Sequence, residues 1–139
     1  MNTRTFALIW GILFLGAAAG GLIPGLLQPT TDDHGVTVDV MHGNALGLFP
    51  VNILHTLVHL VFGLWGLAAS RSWSAAKGFA KAVGIIYVVL AVMGLIPGLD
   101  TTFGLIPLHG NDVWLHLVLA LPALYFGFMH RDTVANDRV

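Results

Sequence analysis

Gly21-Leu22-Ile23-Pro24-Gly25-Leu26 recurs unchanged as Gly94-Leu95-Ile96-Pro97-Gly98-Leu99. Each copy closes a long apolar run. Each is followed by a second apolar run that opens on a related tetrapeptide, Gly47-Leu48-Phe49-Pro50 in the first case and Gly104-Leu105-Ile106-Pro107 in the second. The second runs agree further on, because His59-Leu60-Val61 and His116-Leu117-Val118 both begin nine residues after their proline. Such self-similarity predicts a duplicated helical hairpin. Two copies inserted in the same direction imply a pseudo-two-fold axis along the membrane normal, with the second and fourth helices in equivalent places.

Working outward, a helix needs about 20 mostly apolar residues to cross about 30 Å of hydrocarbon, and four stretches have that length, at 5–27, 47–69, 78–99 and 107–129. The whole chain has 139 residues, 56% hydrophobic and 9% charged, against about 25% charged in an ordinary soluble domain. The expected fold is therefore all-α: a single-domain integral membrane four-helix bundle, residues 1–139, made of two tandem hairpins. Pro24-Gly25, Pro29 and Pro97-Gly98 read as helix stops, and Pro50 and Pro107 as first-turn prolines that open spans. The first run is too long for a secretory signal and reads as a mature helix. The longest connection, 28–46, contains the alternating Val36-Thr37-Val38-Asp39-Val40, which suits either a short strand or a surface-lying segment.

Charge placement orients the bundle. All six basic residues (Arg4, Arg71, Lys77, Lys81, Arg131, Arg138) fall at the termini or in and just after the second connection, whereas the first and third connections carry Asp32, Asp33, Asp39 and Asp100 without Lys or Arg. The positive-inside rule puts both termini in the cytoplasm and the acidic loops outside, in a bacterial inner membrane. A formal charge of −1 argues against nucleic-acid binding. The absence of cysteine leaves His, Asp, Asn or a bound cofactor to carry any chemistry. Ser70, Ser72 and Ser74 lie a membrane thickness from the histidines of the spans, so no Ser-His-Asp triad is expected, and His130 reads as a solvated tail residue.

The polar residues inside the spans carry the functional reading. Asn52, His55 and His59 lie on one face of the second span, and His109, Asp112 and His116 repeat the same spacing on the fourth. Counting from the prolines at about 1.5 Å per residue puts His59 and His116 about 13 Å deep, near the midplane. Ionisable groups at such depth cost from about 2.5 kcal/mol upward, so they are expected to face the interior of the bundle. Small residues continue both stripes, Gly63 and Gly66 on one helix and Ala120 and Ala123 on the other, and Gly16 and Gly20 give the first span a similar face for close helix packing.

His55, His59, Asp112 and His116 together offer three imidazoles and a carboxylate, a donor set suited to a transition-metal ion such as Cu, Fe or Zn. Asn52 and His109 would complete the coordination sphere or orient its rings. Acidic residues with His34 and His42 would crowd the outer mouth and concentrate cations there. Two other readings stand beside this one. A haem or other tetrapyrrole could be held by His59 or His116, in a pigment carrier or an accessory subunit of a larger membrane complex. The cluster could also be a structural or proton-handling hydrogen-bond network in a scaffold. Expected partners are the lipid bilayer and a homo-oligomer or larger membrane assembly. Enzymatic activity, substrate and oligomeric state are not legible in the residues.

The stretch Asn52-Ile53-Leu54-His55-Thr56-Leu57-Val58-His59, with Gly63 and Gly66, and the later Asp112-Val113-Trp114-Leu115-His116 resemble a family of small bacterial four-helix membrane proteins known only as a domain of unknown function. The resemblance runs from about Thr5 to Phe128. It implies the four-helix topology and points to Asn52, His55, His59, Asp112, Trp114 and His116. Where that family usually carries Asn before the glycine of the fourth-span motif, this chain has His109. The resemblance supplies no activity.

Overall fold

The computed structural model describes residues 1–31 and 34–133. Among these residues four helices form: α1 Thr3–Leu22, α2 Ile53–Ala69, α3 Trp73–Met93 and α4 Asn111–Leu124, the last running on into a π-helical turn over Tyr125–Met129. The first three start where a side chain satisfies an orphan backbone donor: Asn2 accepts from the Thr5 N–H, Asn52 from that of His55 and Ser72 from that of Ala75. α4 instead follows Gly110, whose φ of 65° turns the chain sharply into the helix.

Among the described residues three helical stretches, Thr3–Leu22, Trp73–Met93 and Asn111–Met129, are long and apolar enough to cross a membrane. α2 is apolar but has 17 residues, the lower end of the spanning range. It is shorter than expected because its first predicted turn belongs to a small sheet. Strands β1 Leu27–Gln28, β2 Gly43–Ala45 and β3 Phe49–Val51 pair antiparallel in that order. The all-α expectation is corrected to this extent. Pro50 sits in β3 and does not open α2, and Pro107 likewise precedes α4.

The reason lies in the intervening turns. Leu46 and Gly47 both have positive φ (55° and 71°), as do Phe103 and Gly104 (60° and 85°). A pair of such residues makes a tight reversal that no helix can contain. Val36–Val40 forms no strand. It lies across the end of the bundle, where Thr37 N donates to the Gly104 carbonyl at 2.7 Å and the Val40 carbonyl accepts from Ile53 N at 2.9 Å.

α1 packs chiefly on α2 and α3 on α4, while α1 and α3 touch across the middle. The core follows from that arrangement: Phe6, Ala7 and Phe14 of α1 meet Phe79, Ala80, Val83 and Tyr87 of α3, with Ala120 and Ala123 of α4. Large apolar side chains point outward instead, among them Ile12, Leu13, Val61, Leu64, Val118 and Leu121. Aromatic, small and polar groups lie inside and many aliphatic groups outside, and an aliphatic exterior with the polar groups turned inward is the distribution expected when the surrounding solvent is hydrocarbon.

At the other end of the bundle the termini are tied together. Thr3 N donates to the Asp132 carboxylate at 3.0 Å, His130 Nε2 lies 2.9 Å from the same carboxylate, and Lys77 Nζ donates to the His130 carbonyl at 2.6 Å. His130 is thus a partly buried element of a clamp, its ring against Phe126 at 4.8 Å, and not a solvated tail residue. Burial pushes the Asp132 carboxyl up, but hydrogen bonds from Thr3 and then His130 outweigh it and leave the group below its usual range. A carboxylate lowered in the folded state stabilises above its unfolded range and ceases to do so as pH falls through the lowered value. Asp132→Asn is therefore expected to cost about 1 kcal/mol near neutrality, the ordinary worth of a carboxylate at a helix N-terminus. Thermal unfolding in detergent should show the wild-type advantage disappearing in acid.

Candidate metal centre

α2 and α4 do not pack closely on each other; their polar side chains meet across the space between them at the sheet-bearing end. His55 stands in the first turn of α2, Asp112 in the first turn of α4 and His116 one turn further along. One ligand-type atom from each of these three lies within 4.8 Å of the others. His55 Nδ1 is 3.6 Å from Asp112 Oδ2. All three are buried, at 3%, 1% and 1% exposure. His59, 5% exposed, follows one turn after His55 with ring centroids 4.6 Å apart, its other face stacked on Phe14 at 6.0 Å. Tyr87 of α3 meets His116 edge-on at 4.9 Å.

Because α2 begins at Ile53 and α4 at Asn111, His59 lies only about 9 Å from the start of its helix at 1.5 Å per residue. The cluster is therefore nearer the sheet-bearing end than the midplane placement expected from the prolines.

Nδ1 of His55, His59 and His116 and Oδ2 of Asp112 are buried and have no hydrogen-bond partner. Folded proteins pair about 90% or more of such atoms, and each orphan costs about 1–3 kcal/mol. Two of them, His55 Nδ1 and Asp112 Oδ2, face each other at 3.6 Å without a hydrogen bond, and His116 brings a third such residue to the same place. Imidazole nitrogens and a carboxylate oxygen at this spacing have the chemistry of a cation site.

Asn52 is fully buried and acts on the cluster through the backbone. Its Oδ1 accepts from His55 N at 3.0 Å, and its Nδ2 donates to the carbonyls of Val38 at 3.0 Å and Leu105 at 2.7 Å. One amide thus starts α2 and pins both loops beside it. Asn52→Ala is expected to cost about 2 kcal/mol, because two carbonyls in part-buried hydrogen bonds lose their donor and α2 loses its cap, and to loosen the placement of His55; chemical denaturation read by near-ultraviolet dichroism checks both.

His109, which stands two residues after Pro107 as Asn52 does after Pro50, goes elsewhere. Its ring stacks on that of His34 at 3.9 Å, and it lines a separate surface cavity with Thr30, Asn44 and Asn111. The positive φ of Gly110 separates it from the α4 face that carries Asp112 and His116. His34 Nδ1 in turn lies 3.3 Å from Asp100 Oδ2, so part of the expected polar mouth is present, while Asp32 and Asp33 lie outside the described residues. Trp114, 65% exposed, faces outward.

A family model covers residues 4–129. The chain belongs to the family described as Domain of unknown function (DUF4383). That agrees with the resemblance read from the two histidine motifs. Among curated proteins and among solved structures, nothing matches the chain.

Phe14 and Thr56 were not singled out by sequence reasoning, and Tyr87 was grouped with the aromatics that anchor span ends at the membrane interface, whereas Phe14 and Tyr87 are buried and flank the histidines and Thr56 is fully buried beside Gly21. A signal for the two aromatics was present, since each stands seven residues before one of the two identical hexapeptides, Phe14 before Gly21 and Tyr87 before Gly94.

Proposed function

We propose that this chain is an integral membrane protein that holds one transition-metal ion between α2 and α4 near the extracytoplasmic surface. His55, Asp112 and His116 are its ligands and His59 the fourth donor of the same set. The observation that carries the reading is the convergence of three buried ligand atoms within 4.8 Å, each residue contributing an atom that lacks a hydrogen-bond partner. A bound cation would satisfy them together and compensate the burial of the carboxylate. The donor set suits Cu, Fe or Zn. Elemental analysis of gently purified protein tests it: about one ion per chain is expected, removable by chelator and restored by added metal.

We further propose that the bundle is a duplication with both termini cytoplasmic. Support comes from pairs at equivalent positions. Phe6 and Phe79, Ala7 and Ala80, and Phe14 and Tyr87 are all buried. Leu48 N donates to the Ala45 carbonyl in one copy, as Leu105 N does to Thr102 in the other. A Cβ on Gly11 would press on Leu67 N at 2.8 Å, and one on the equivalent Gly84 on Leu124 N at 2.9 Å. The orientation rests on the basic residues, of which Arg4, Lys77 and Arg131 lie at the clamped end. In this reading the bacterial inner membrane is the location and lipid the principal partner. The tetrapyrrole alternative gains no support from the cavities beside the histidines, about 180 and 170 Å³, below the usual range for a drug-sized ligand. A colourless preparation is expected unless the ion itself absorbs.

A further inference from the structure

The two cavities differ from ordinary packing defects in where they open and what lies at their inner ends. The larger, about 180 Å³, is walled by Gly16, Ala17 and Gly20 of α1 and ends on His59 and Asp112. The other, about 170 Å³, is walled by Phe62, Ile86 and Leu90 and reaches His55, His59 and His116. His59 therefore borders both.

Gly16 and Gly20 were expected to bring helices together, yet a Cβ on Gly16 would meet nothing within 4 Å and one on Gly20 only the Ala45 methyl at 3.7 Å. The small residues leave a slot instead of closing one. Gly16 is exposed and lies in the middle of α1, beside the outward-facing Ile12 and Leu13. The sheet closes part of the wall with Ala45, Leu46, Phe49 and Val51, and at Gly16 the slot meets the apolar outer surface.

Its inner end is polar. His59 is 95% buried by its 5% exposure, and its Nδ1 lacks a partner. A cavity of about 150 Å³ accommodates benzene, so this one has room for a single six-membered ring with small substituents. A plain acyl chain would fill the volume and leave the imidazole and carboxyl unmatched. A ring bearing hydroxyl or carbonyl oxygens would match both the apolar walls and the polar end.

We propose that the slot between α1 and α4 binds the ring of a bilayer-soluble quinone or quinol, an oxygen of the ring hydrogen-bonded at His59 and Asp112 and the tail leaving past Gly16 into lipid. This deepens the metal reading by naming what reaches the centre.

The test uses the full chain in lipid nanodiscs with a decyl-substituted benzoquinone as probe, followed by equilibrium binding, with metal content measured on the same samples. Saturable binding near one per chain is expected. Gly16→Leu fills the slot and should weaken it about tenfold or more, with metal content and helicity unchanged. Gly78→Leu, where a Cβ also meets nothing within 4 Å, should leave binding intact. Decylcyclohexane, which has no oxygen, should compete poorly. Absence of saturable binding, indifference to Gly16→Leu, or equal competition by the hydrocarbon overturns the proposal. A chain that binds the probe but takes up no metal defeats the metal reading alone; a metal-replete chain that ignores the probe defeats the slot alone.

Discussion

Asp112→Asn combined with His116→Gln is expected to reduce bound metal from about one ion per chain to background, with helix content and detergent extraction unchanged. The substitutions remove the charge and one imidazole while nearly conserving volume, so packing around them is disturbed little. Loss of a group that merely orients a ligand already costs about 10- to 100-fold in metal affinity, so loss of two ligands should exceed about 100-fold. His59→Ala, at the edge of the three-residue group, is expected to weaken binding less than the double variant. Chelator-competition titrations with Zn, Cu and Fe measure each case. Wild-type protein that carries no metal and takes none up would return the cluster to a hydrogen-bonded scaffold, and a strong visible band with stoichiometric tetrapyrrole would redirect the reading to a pigment.

Gly66→Val should strongly destabilise the helix pair, and Gly16→Val should be close to harmless. A Cβ on Gly66 would lie 2.7 Å from the Gly11 Cα, 2.9 Å from the Ala7 carbonyl oxygen and 2.9 Å from the Gly11 nitrogen. These are backbone atoms of the neighbouring helix. No side-chain rotation relieves such contacts, so α1 and α2 must separate, and with no hydrophobic effect in lipid to hold them, tight packing is most of what keeps them paired. The expected cost exceeds about 3 kcal/mol, the upper end for ordinary overpacking. Gly16, by contrast, faces open space. Unfolding in mixed micelles, with SDS fraction as the denaturant, compares the two variants directly. Comparable destabilisation by both would mean that the helices cross elsewhere.

The contrast shows how small residues mislead when read from sequence. Gly16 and Gly20 form as regular a face as Gly63 and Gly66, and spacing cannot tell a helix contact from a cavity wall. What separates them is the position of the partner helix. α2 enters only at Ile53, after the tight turn at Leu46-Gly47 and the cap at Asn52, so Gly63 and Gly66 meet α1 at Leu15 and Gly11. Counting from Pro50 places the helix start too early, because a proline suited to a first turn is equally suited to the edge of a short strand. The same confusion put His59 near the midplane.

His109 illustrates the same limit. Its spacing to Asp112 and His116 matches that of Asn52 to His55 and His59, which holds as a shared face only if the helix is continuous. Gly110 interrupts it with a positive φ, and the histidine goes to His34 instead. Glycine before a helix is compatible with either outcome, so nothing in the residue order revealed the break.

By itself the sequence determined that the chain is mostly helical, apolar enough for a bilayer, and furnished with ionisable residues on two matching helix faces, because helical periodicity and the cost of burying charge act locally and leave their mark in residue order. Tertiary structure alone decided which of those residues meet: His55, Asp112 and His116 draw together while His109 turns away, and one glycine pair seals a helix crossing while another lines a slot. Those outcomes depend on the angles of a few turns, and a small change of backbone direction there moves side chains by more than the length of a coordination bond.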